Sequence, residues 1–191
     1  MLIATWNVNS VRTRLSQIIN WINQVNPDIL CLQETKVIDN DFPIKPFEEL
    51  GYEVLAFGQK SYNGVAIISK IAPKNVNKGF SGYLENQTDV NKFEDQKRLI
   101  TADINGIKII NVYVPNGSAL NSEKFDYKIN WLNCLSSFLD NQEENGELIC
   151  LLGDFNIAPS NKDIHDPQRY AGGIMASEIE RNVLKNVLKK D

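Results

Sequence analysis

Histidine and cysteine are scarce in this sequence of 191 residues, which contains one histidine and three cysteines. A single imidazole excludes most zinc enzymes, because their sites need several histidine or cysteine ligands. The cysteines form no Cys-x-x-Cys pair, and Cys31 and Cys150 lie inside apolar runs. We therefore expect reduced thiols that serve packing. His165 is expected to be a loop residue rather than a ligand or a base.

Long apolar runs and an excess of basic charge are also absent. No stretch approaches the ~18 apolar residues of a membrane span, and the N-terminus shows no signal peptide, so we expect a cytoplasmic protein that does not enter membranes. The net charge is -4, and no basic stripe of the usual nucleic-acid-binding kind is present. The composition, with 42% hydrophobic and 23% charged residues, is typical of one globular domain, expected to cover residues 1–191.

The order of apolar runs and helical patterns predicts an α/β protein. An apolar strand at residues 2–6 precedes a helix at 11–25, which either Asn9 or Ser10 is expected to cap and which Pro27 ends. A fully apolar strand follows at residues 29–32. Strand, helix and strand in this order form a βαβ-like unit.

The rest of the chain adds antiparallel strands and two more helices. Residues 98–104 and 107–114 flank Asn105-Gly106, which is the strongest signal for a two-residue hairpin turn. Further strands are expected at 52–57, 65–69 and 148–152, polar loops at 81–97 and 157–173, and a helix from Ser122 to about Leu139. A capping box, Ser177 to Glu180, predicts a last helix that buries Ile179, Val183, Leu184, Val187 and Leu188.

Polar side chains gather where the apolar strands end. Amide oxygens and carboxylates form an oxygen-only ligand set, which suits Mg²⁺ or Mn²⁺ rather than zinc. A carboxylate beside such a cation can deprotonate water, and amides can hold phosphate oxygens, so the set favours metal-assisted phosphodiester hydrolysis. The four clusters are Asn7 with Asn9, Glu34 with Lys36, Tyr113 with Asn116, and Asp154 with Asn156.

Taken singly, each of these residues also has a structural explanation. The alternatives are a helix cap for Asn7 and Asn9, a solvated carboxylate for Glu34, a half-buried aromatic for Tyr113, a turn for residues 153–156, and solvated surface charges for Lys36, Arg98 and Lys128.

The residue sequences of the motifs are more specific for one protein family than any single residue is. Gly-Asp-Phe-Asn at 153–156 occurs widely, whereas Gln-Glu-Thr-Lys at 33–36 combined with Tyr-Val-Pro-Asn-Gly at 113–117 is much more restricted. Residues 5–12, 62–67 and 98–100 add to the pattern. Together these motifs resemble the exodeoxyribonuclease III branch of the endonuclease/exonuclease/phosphatase superfamily, which includes the apurinic/apyrimidinic (AP) endonucleases. The resemblance extends, in order, over almost the whole chain.

This resemblance implies a four-layer α/β/β/α sandwich and three reactions of DNA repair: cleavage at AP sites, 3′-to-5′ removal of nucleotides and removal of 3′-phosphates. The implied partner is double-stranded DNA with abasic sites or 3′ ends, and the implied cofactor is Mg²⁺ or Mn²⁺. By resemblance, Asn7 and Glu34 are metal ligands, Asp154 activates water and also touches metal, Asn156 is a transition-state and metal-site amide, Tyr113 is the catalytic tyrosine, Asn116 contacts phosphate, Asn9 and Lys36 lie near metal and phosphate, and Tyr62 contacts the DNA backbone.

Members of this branch continue beyond the helix that starts at Ser177, with a DNA-inserting aromatic loop, an aspartate that orients a histidine, and a final Ser-Asp-His motif. The sequence contains none of these, and His165 lies in the wrong motif to replace the histidine. We therefore expect a C-terminally truncated member with an incomplete second sheet and reduced activity, a monomer if complete and prone to self-association as it stands. Two alternatives remain: an inactive remnant that binds metal or DNA weakly, and a phosphatase acting on a small phosphorylated molecule or a lipid headgroup.

Overall fold

The computed structural model describes residues 1–80, 90–143 and 148–188. The chain divides into two compact units, Met1–Tyr113 with Gly146–Asp154 and Val114–Asn145 with Phe155–Asp191. The first unit holds every strand that the structure describes, in two sheets. The predicted mixed α/β fold with two sheets is confirmed, and the single domain over residues 1–191 stays a prediction.

The first sheet has the strand order β1-β2-β4-β3. Its strands are β1 (Ile3–Asn7), β2 (Ile29–Gln33), β3 (Glu53–Phe57) and β4 (Val65–Ser69). Strands β1 and β2 are parallel, whereas β4 is antiparallel to both β2 and β3. Strands β2 and β4 are buried along their whole length, as expected of central strands that are covered on both faces.

Helix α1 (Val11–Val25) connects β1 to β2 and buries Val11, Ile18 and Ile22 against the first sheet. Ser10 caps this helix, because its side chain accepts a hydrogen bond from the Thr13 N–H at 3.4 Å. Asn26 ends the helix in a left-handed conformation, directly before Pro27. A short helix that the sequence did not predict, α2 (Lys45–Glu48), buries Phe47 in the same core.

The second sheet has the order β5-β6-β7-β8. Its strands are β5 (Lys74–Lys78), β6 (Leu99–Ile104), β7 (Ile107–Tyr113) and β8 (Leu148–Asp154). The predicted hairpin between β6 and β7 is confirmed, and Asn105 and Gly106 have the positive φ angles, 53° and 78°, of a primed turn. Strand β5 was not predicted, because its sequence is polar and its side chains are mostly exposed.

The two sheets of the first unit share an apolar core that includes Ile29, Cys31 and Ile67 of the first sheet and Ile100 and Ile109 of the second. Burial raises the pKa of the Cys31 thiol, and the nearby Cys150 raises it further. None of the three cysteines forms a disulfide bond. The prediction of reduced packing thiols is therefore consistent with the structure.

A buried polar contact joins the sheets inside this core. The Gln33 amide donates to Asn111 Oδ1 at 2.7 Å, and the Asn111 amide donates to the carbonyls of Leu32 and Ala66 at 3.0 and 2.9 Å. Because a buried amide without partners is costly, this network favours one relative position of β2 and β7. Gln33 is the last residue of β2 and directly precedes Glu34, so this network also restrains the strand end that leads into Glu34.

The second unit contains helices α4 (Glu123–Glu143), α5 (Pro167–Tyr170) and α6 (Glu178–Leu188), with α4 packed against α6. The predicted capping box is present, since the Ser177 hydroxyl accepts from the Glu180 N–H and the Glu180 carboxylate accepts from the Ser177 N–H. Two expectations for α6 are wrong: Ile179 and Leu188 are 53% and 56% exposed. They flank the narrower buried stripe of Leu184 and Val187.

The two predicted polar loops contain helical segments. Helix α3 (Val90–Glu94), in the first unit, corrects the loop expected at 81–97, of which residues 81–89 lie outside the described residues. A 3₁₀ turn, Asn161–Asp163, and helix α5 interrupt the loop expected at 157–173. His165 is exposed between them, as expected of a loop histidine. In the described residues, no helix has the length and apolarity that a bilayer crossing requires.

Candidate active site

Four of the predicted site residues meet at one end of the strands of the first unit. Asn7, Tyr113 and Asp154 are the last residues of β1, β7 and β8, and Glu34 follows β2. The Asn7 amide donates to Glu34 Oε1 at 2.9 Å and to Asp154 Oδ2 at 2.7 Å. The Tyr113 hydroxyl donates to the same Glu34 oxygen at 2.8 Å. Side chains from four strand ends thus form one hydrogen-bonded cluster.

The strand pairing explains this convergence. Strands β1 and β2 are parallel, as are β7 and β8, so each pair presents its carboxyl ends at one edge, with Tyr113 opposite Asp154. Gly153 allows β8 to approach β7 there, because a Cβ at this position would lie 2.0 Å from the Val112 carbonyl oxygen and its φ is +139°. Glu34 has a left-handed backbone, φ 54°, directly after the last residue of β2.

The loop before β4 supports the segment that carries Glu34. The N–H groups of Thr35 and Lys36 donate to the carbonyls of Gly64 and Asn63, at 3.2 and 2.9 Å. The motif at 62–67 thus has a structural role that its sequence alone did not reveal. Tyr62, in the same loop, is 69% exposed, and among the described residues no hydrogen bond joins it to the cluster.

Lys36 and Asn9 extend the cluster. The Lys36 ammonium lies 2.9 Å from Glu34 Oε2 and also donates to the Asn9 side-chain oxygen. The Asn9 backbone N–H donates to Asn7 Oδ1 at 3.1 Å. The alternative of a solvated Lys36 is therefore wrong, because its side chain is 29% exposed and ion-paired. The helix-cap alternative for Asn7 and Asn9 is also wrong, since Ser10 holds that position.

The electrostatics keep Glu34 charged and Tyr113 protonated. Burial raises the pKa of the Glu34 carboxyl, but hydrogen bonds from Asn7, Lys36 and Tyr113, with the Lys36 charge, outweigh it and leave the pKa below its ordinary value. Burial raises the pKa of the Tyr113 hydroxyl, and the Glu34 carboxylate that accepts its proton raises it further. At neutral pH the pair is therefore a carboxylate and a phenol donor.

Arg98 supports Tyr113 and was not identified from the sequence as more than a solvated charge. Its guanidinium lies over the Tyr113 ring, 4.6 Å from the centroid, and donates to the Tyr113 carbonyl at 3.0 Å. The Arg98 carbonyl accepts from the Tyr113 N–H at 2.8 Å. Its place in the motif at 98–100 was the only sequence signal, and that motif gave no role for the side chain.

Asn116 and Asn156 belong to the second unit and contact each other there. The Asn116 amide donates to Asn156 Oδ1 at 3.4 Å, and the Asn156 amide donates to the Val114 carbonyl at 2.9 Å. Asn156 has a left-handed φ of 49°. The solvated-charge alternative for Lys128 is wrong, since this side chain is fully buried and forms an ion pair with Glu180.

The donors of the first-unit cluster suit a hard cation. Among the described residues no three His, Cys, Asp or Glu side chains converge, and the cluster offers two carboxylates, amides and a phenol. Glu34 and Asp154 both accept from the Asn7 amide nitrogen. The two carboxylates are therefore close enough to contact one and the same atom. Such an oxygen set fits Mg²⁺ or Mn²⁺. As a ligand, Asn7 would have to present its amide oxygen instead of its nitrogen.

Comparisons with known proteins were made on the whole chain. The sequence profile of the Endonuclease/Exonuclease/phosphatase family matches residues 4–182. The chain is 36% identical over 169 residues to exodeoxyribonuclease III of Haemophilus influenzae, covering 86% of this chain and 60% of the relative. The chain therefore spans less than two thirds of that relative's length.

Two solved structures are similar in fold and in sequence. The structure of an AP endonuclease from Archaeoglobus fulgidus has a TM-score of 0.89 and 40% identity, covering 99% of this chain and 70% of that chain. The structure of the 3′ phosphatase NExo from Neisseria, bound to a product DNA hairpin, has a TM-score of 0.88 and the same identity and coverage. These matches confirm the resemblance read from the motifs, and the chain belongs to the endonuclease/exonuclease/phosphatase family.

Proposed function

We propose that this chain carries the phosphate-hydrolysing site of a DNA repair nuclease of the exodeoxyribonuclease III type. The proposed reactions are cleavage at abasic sites, 3′-to-5′ removal of nucleotides and removal of 3′-phosphates. The observation that carries the proposal is the Asn7 amide shared by Glu34 and Asp154, with Tyr113 on the same Glu34 oxygen. Two carboxylates and neutral donors at one strand edge are the groups that phosphodiester hydrolysis requires.

The proposed cofactor is Mg²⁺ or Mn²⁺, held by Glu34 and Asp154 with Asn7. When bound, such a cation offsets the negative charge of the phosphate as a Lewis acid. The lowered pKa of Glu34 keeps this carboxylate ionised at neutral pH, which favours a cation beside it. Because few protein groups are available as ligands, we expect weak affinity, on the order of 10⁻³ M.

Each of the chain's own groups has a proposed task. Asp154 accepts the proton of the attacking water, and Tyr113, which stays protonated, donates to a phosphate oxygen. Asn116 donates to phosphate, and the Asn156 amide stabilises the transition state. The remaining assignments, made by family resemblance, are metal contacts for Asp154 and Asn156, positions near the metal and phosphate for Asn9 and Lys36, and a DNA-backbone contact for Tyr62.

The relatives support a proposed DNA partner, and the cysteines support a proposed cellular location. The proposed substrate is double-stranded DNA with abasic sites or 3′ ends, supported by a relative named as an AP endonuclease and a similar structure bound to a DNA product. Free thiols support the proposed cytoplasmic placement, since cytosolic proteins keep cysteines reduced. We also propose a single domain over residues 1–191, because the family profile spans both units.

Substrate comparison tests the reaction. Purified protein is incubated with Mg²⁺ and three substrates: a duplex with an abasic-site analogue, a duplex with a 3′-phosphate, and an inositol phosphate. Cleavage of either duplex, not suppressed by excess inositol phosphate, supports the proposal. Preference for inositol phosphate would favour the small-molecule phosphatase instead. Turnover of no substrate would favour the inactive remnant.

Cation binding is tested separately. Mn²⁺ is titrated into wild type, Glu34→Gln and the control Glu53→Gln, with water-proton relaxation as the readout. Glu53 is an exposed carboxylate at the start of β3, so its loss changes net charge without touching the cluster. We expect weaker binding only in Glu34→Gln. Equal binding by all three proteins would refute the assignment of Glu34 as a ligand.

A further inference from the structure

A fully buried ion pair lies in the second unit, apart from the residues that family resemblance assigned. Lys128 of α4 and Glu180 of α6 are both 0% exposed, and their Nζ and Oε1 atoms lie 2.5 Å apart. Transfer of two charges out of water is costly, and replacing a buried pair by apolar side chains is often neutral or stabilising. A pair of this kind is therefore weak evidence for stability alone, and its other contacts indicate what it does.

The Lys128 ammonium has three N–H donors and no acceptor, and its described partners include three oxygen atoms. Besides Glu180, it donates to the main-chain carbonyl of Asn156 at 2.7 Å and to that of Asn116 at 3.2 Å. These are the two residues whose side-chain amides the proposed function assigns to phosphate. One buried cation thus holds the backbone of both.

The Glu180 carboxylate is equally well satisfied. Oε1 also accepts from the Met175 N–H at 3.0 Å, and Oε2 accepts from the Ser177 N–H at 3.2 Å and the Ser177 hydroxyl at 2.6 Å. The carboxylate is therefore fixed by α6 and the turn before it. The fixed Glu180 carboxylate holds the Lys128 ammonium in place. The ammonium in turn donates to the main-chain carbonyls of Asn116 and Asn156.

Other contacts also act on the two asparagines. Asn156 has a left-handed φ of 49°, which asparagine adopts more readily than most residues, and its side-chain amide donates to the Val114 carbonyl at 2.9 Å. The amides of Asn116 and Asn156 meet at 3.4 Å, which is a long hydrogen bond that contributes little rigidity by itself. Asn116 Oδ1 also accepts from the Ser118 N–H at 3.2 Å. The contacts of the two main-chain carbonyls with Lys128 are charge-assisted, so they add a stronger restraint on the backbone of both residues.

We propose that Lys128 and Glu180 form a positioning pair, in which the buried ammonium fixes the peptide groups of Asn116 and Asn156 and thereby aims both side-chain amides at the phosphate. This inference deepens the proposed function and rests on its assignment of the two amides. Lys128 touches no reacting atom in this scheme. It acts through the two asparagines.

The test separates positioning from simple stability with three variants of the full chain. Lys128→Met removes the ammonium, and Lys128→Met/Glu180→Gln removes both charges, so that no unpaired charge stays buried. The control Leu135→Ala removes a buried apolar side chain two turns further along α4. The readouts are thermal unfolding, the ¹H–¹⁵N side-chain amide signals of Asn116 and Asn156, assigned by Asn→Ser substitutions, and kcat and KM on abasic DNA.

We expect both Lys128 variants to shift or broaden the two amide signals. We also expect them to lower kcat by about 100-fold with a smaller change in KM, because a misplaced group in an active site lowers the reaction rate by about this factor. The double variant should regain thermal stability without regaining the signals or kcat. Leu135→Ala should lose stability while its amide signals stay in place. If Lys128→Met does not fold, the double variant carries the comparison.

Recovery of the wild-type signals and kcat in the double variant would overturn the proposal, because the pair would then serve charge balance alone. Unchanged amide signals in Lys128→Met would overturn it as well. If the wild-type protein hydrolyses none of the DNA substrates, the proposed function fails, and the amide signals still decide whether Lys128 positions the two asparagines.

Discussion

Replacement of Asp154 by asparagine isolates the charge of this side chain from its shape. In the wild-type protein, Asp154 Oδ2 accepts from the Asn7 amide at 2.7 Å, and that amide also donates to Glu34. An asparagine at position 154 can present its oxygen to Asn7 and keep this hydrogen bond. The variant therefore loses the proposed base and candidate cation ligand without losing the connection between the strand ends.

The expected magnitudes differ sharply between folding and catalysis. A hydrogen bond to a charged group contributes about 1.5–3 kcal/mol and a neutral one about 1 kcal/mol, while removal of the charge relieves repulsion with Glu34. We therefore expect a stability change within about 1 kcal/mol, or roughly 2–4 °C in Tm for a chain of this size. Loss of a general base costs about 10²–10⁴-fold in rate, equivalent to about 3–5 kcal/mol.

The assay is single-turnover cleavage of a labelled duplex with an abasic-site analogue, in Mg²⁺, with unfolding followed by circular dichroism. Tyr113→Phe is the comparison, because it removes one donor to Glu34 and leaves both carboxylates. We expect a smaller rate loss in Tyr113→Phe than in Asp154→Asn. A near-wild-type rate for a folded Asp154→Asn protein would refute the role of Asp154 as the base.

Three further predictions concern stability and association. Burial raises the pKa of the Asp103 carboxyl, but its hydrogen bonds and the charge of Lys108 outweigh burial and lower the pKa below its ordinary value. The contribution of Asp103 to the free energy of unfolding is therefore present above its unfolded-state pKa and disappears as the pH falls through its folded-state pKa. Asp103→Asn should cost about 1.5–3 kcal/mol at pH 7 in urea unfolding, and the difference from wild type should vanish well below about pH 4; a constant difference contradicts this. Gly64→Ala should lower Tm, because a Cβ would lie 2.2 Å from the Thr35 hydroxyl at a φ of +91°, and an unchanged Tm would contradict that contact. Leu148, 71% exposed on β8 at one edge of its sheet, should promote self-association, so Leu148→Lys should give a smaller species in sedimentation, and identical sedimentation would exclude this edge.

The sequence by itself determined those elements whose signals are local. Asn105-Gly106 has the backbone freedom that a primed turn requires, so the β6–β7 hairpin could be predicted from two residues. Ser177 and Glu180 satisfy each other's N–H groups within one turn of helix, so the start of α6 was equally predictable. The combination of motifs at strand ends, rather than any single residue, predicted that Asn7, Glu34, Tyr113 and Asp154 belong to one site, and the structure places these four side chains in one hydrogen-bonded cluster.

Only the tertiary structure decided the contacts between distant parts of the chain. Strand β5 is polar and exposed, so its sequence carries no strand pattern, and its pairing with β6 alone defines it. The sequence pattern likewise could not show that Ile179 faces solvent, since the width of a buried stripe depends on the neighbouring helix.

The contacts of charged side chains are the clearest example of what could not be predicted from the sequence. A lysine in an amphipathic helix is ordinarily solvated, and Lys128 has no neighbour in sequence that suggests otherwise. Its burial depends on Glu180, 52 positions along the chain, and on two carbonyl oxygens that loops bring to it. Arg98 similarly acquires its role only because β6 and β7 pair and place Tyr113 beneath its guanidinium. Local preference sets which elements form, whereas the desolvation and pairing of charges are properties of the folded chain.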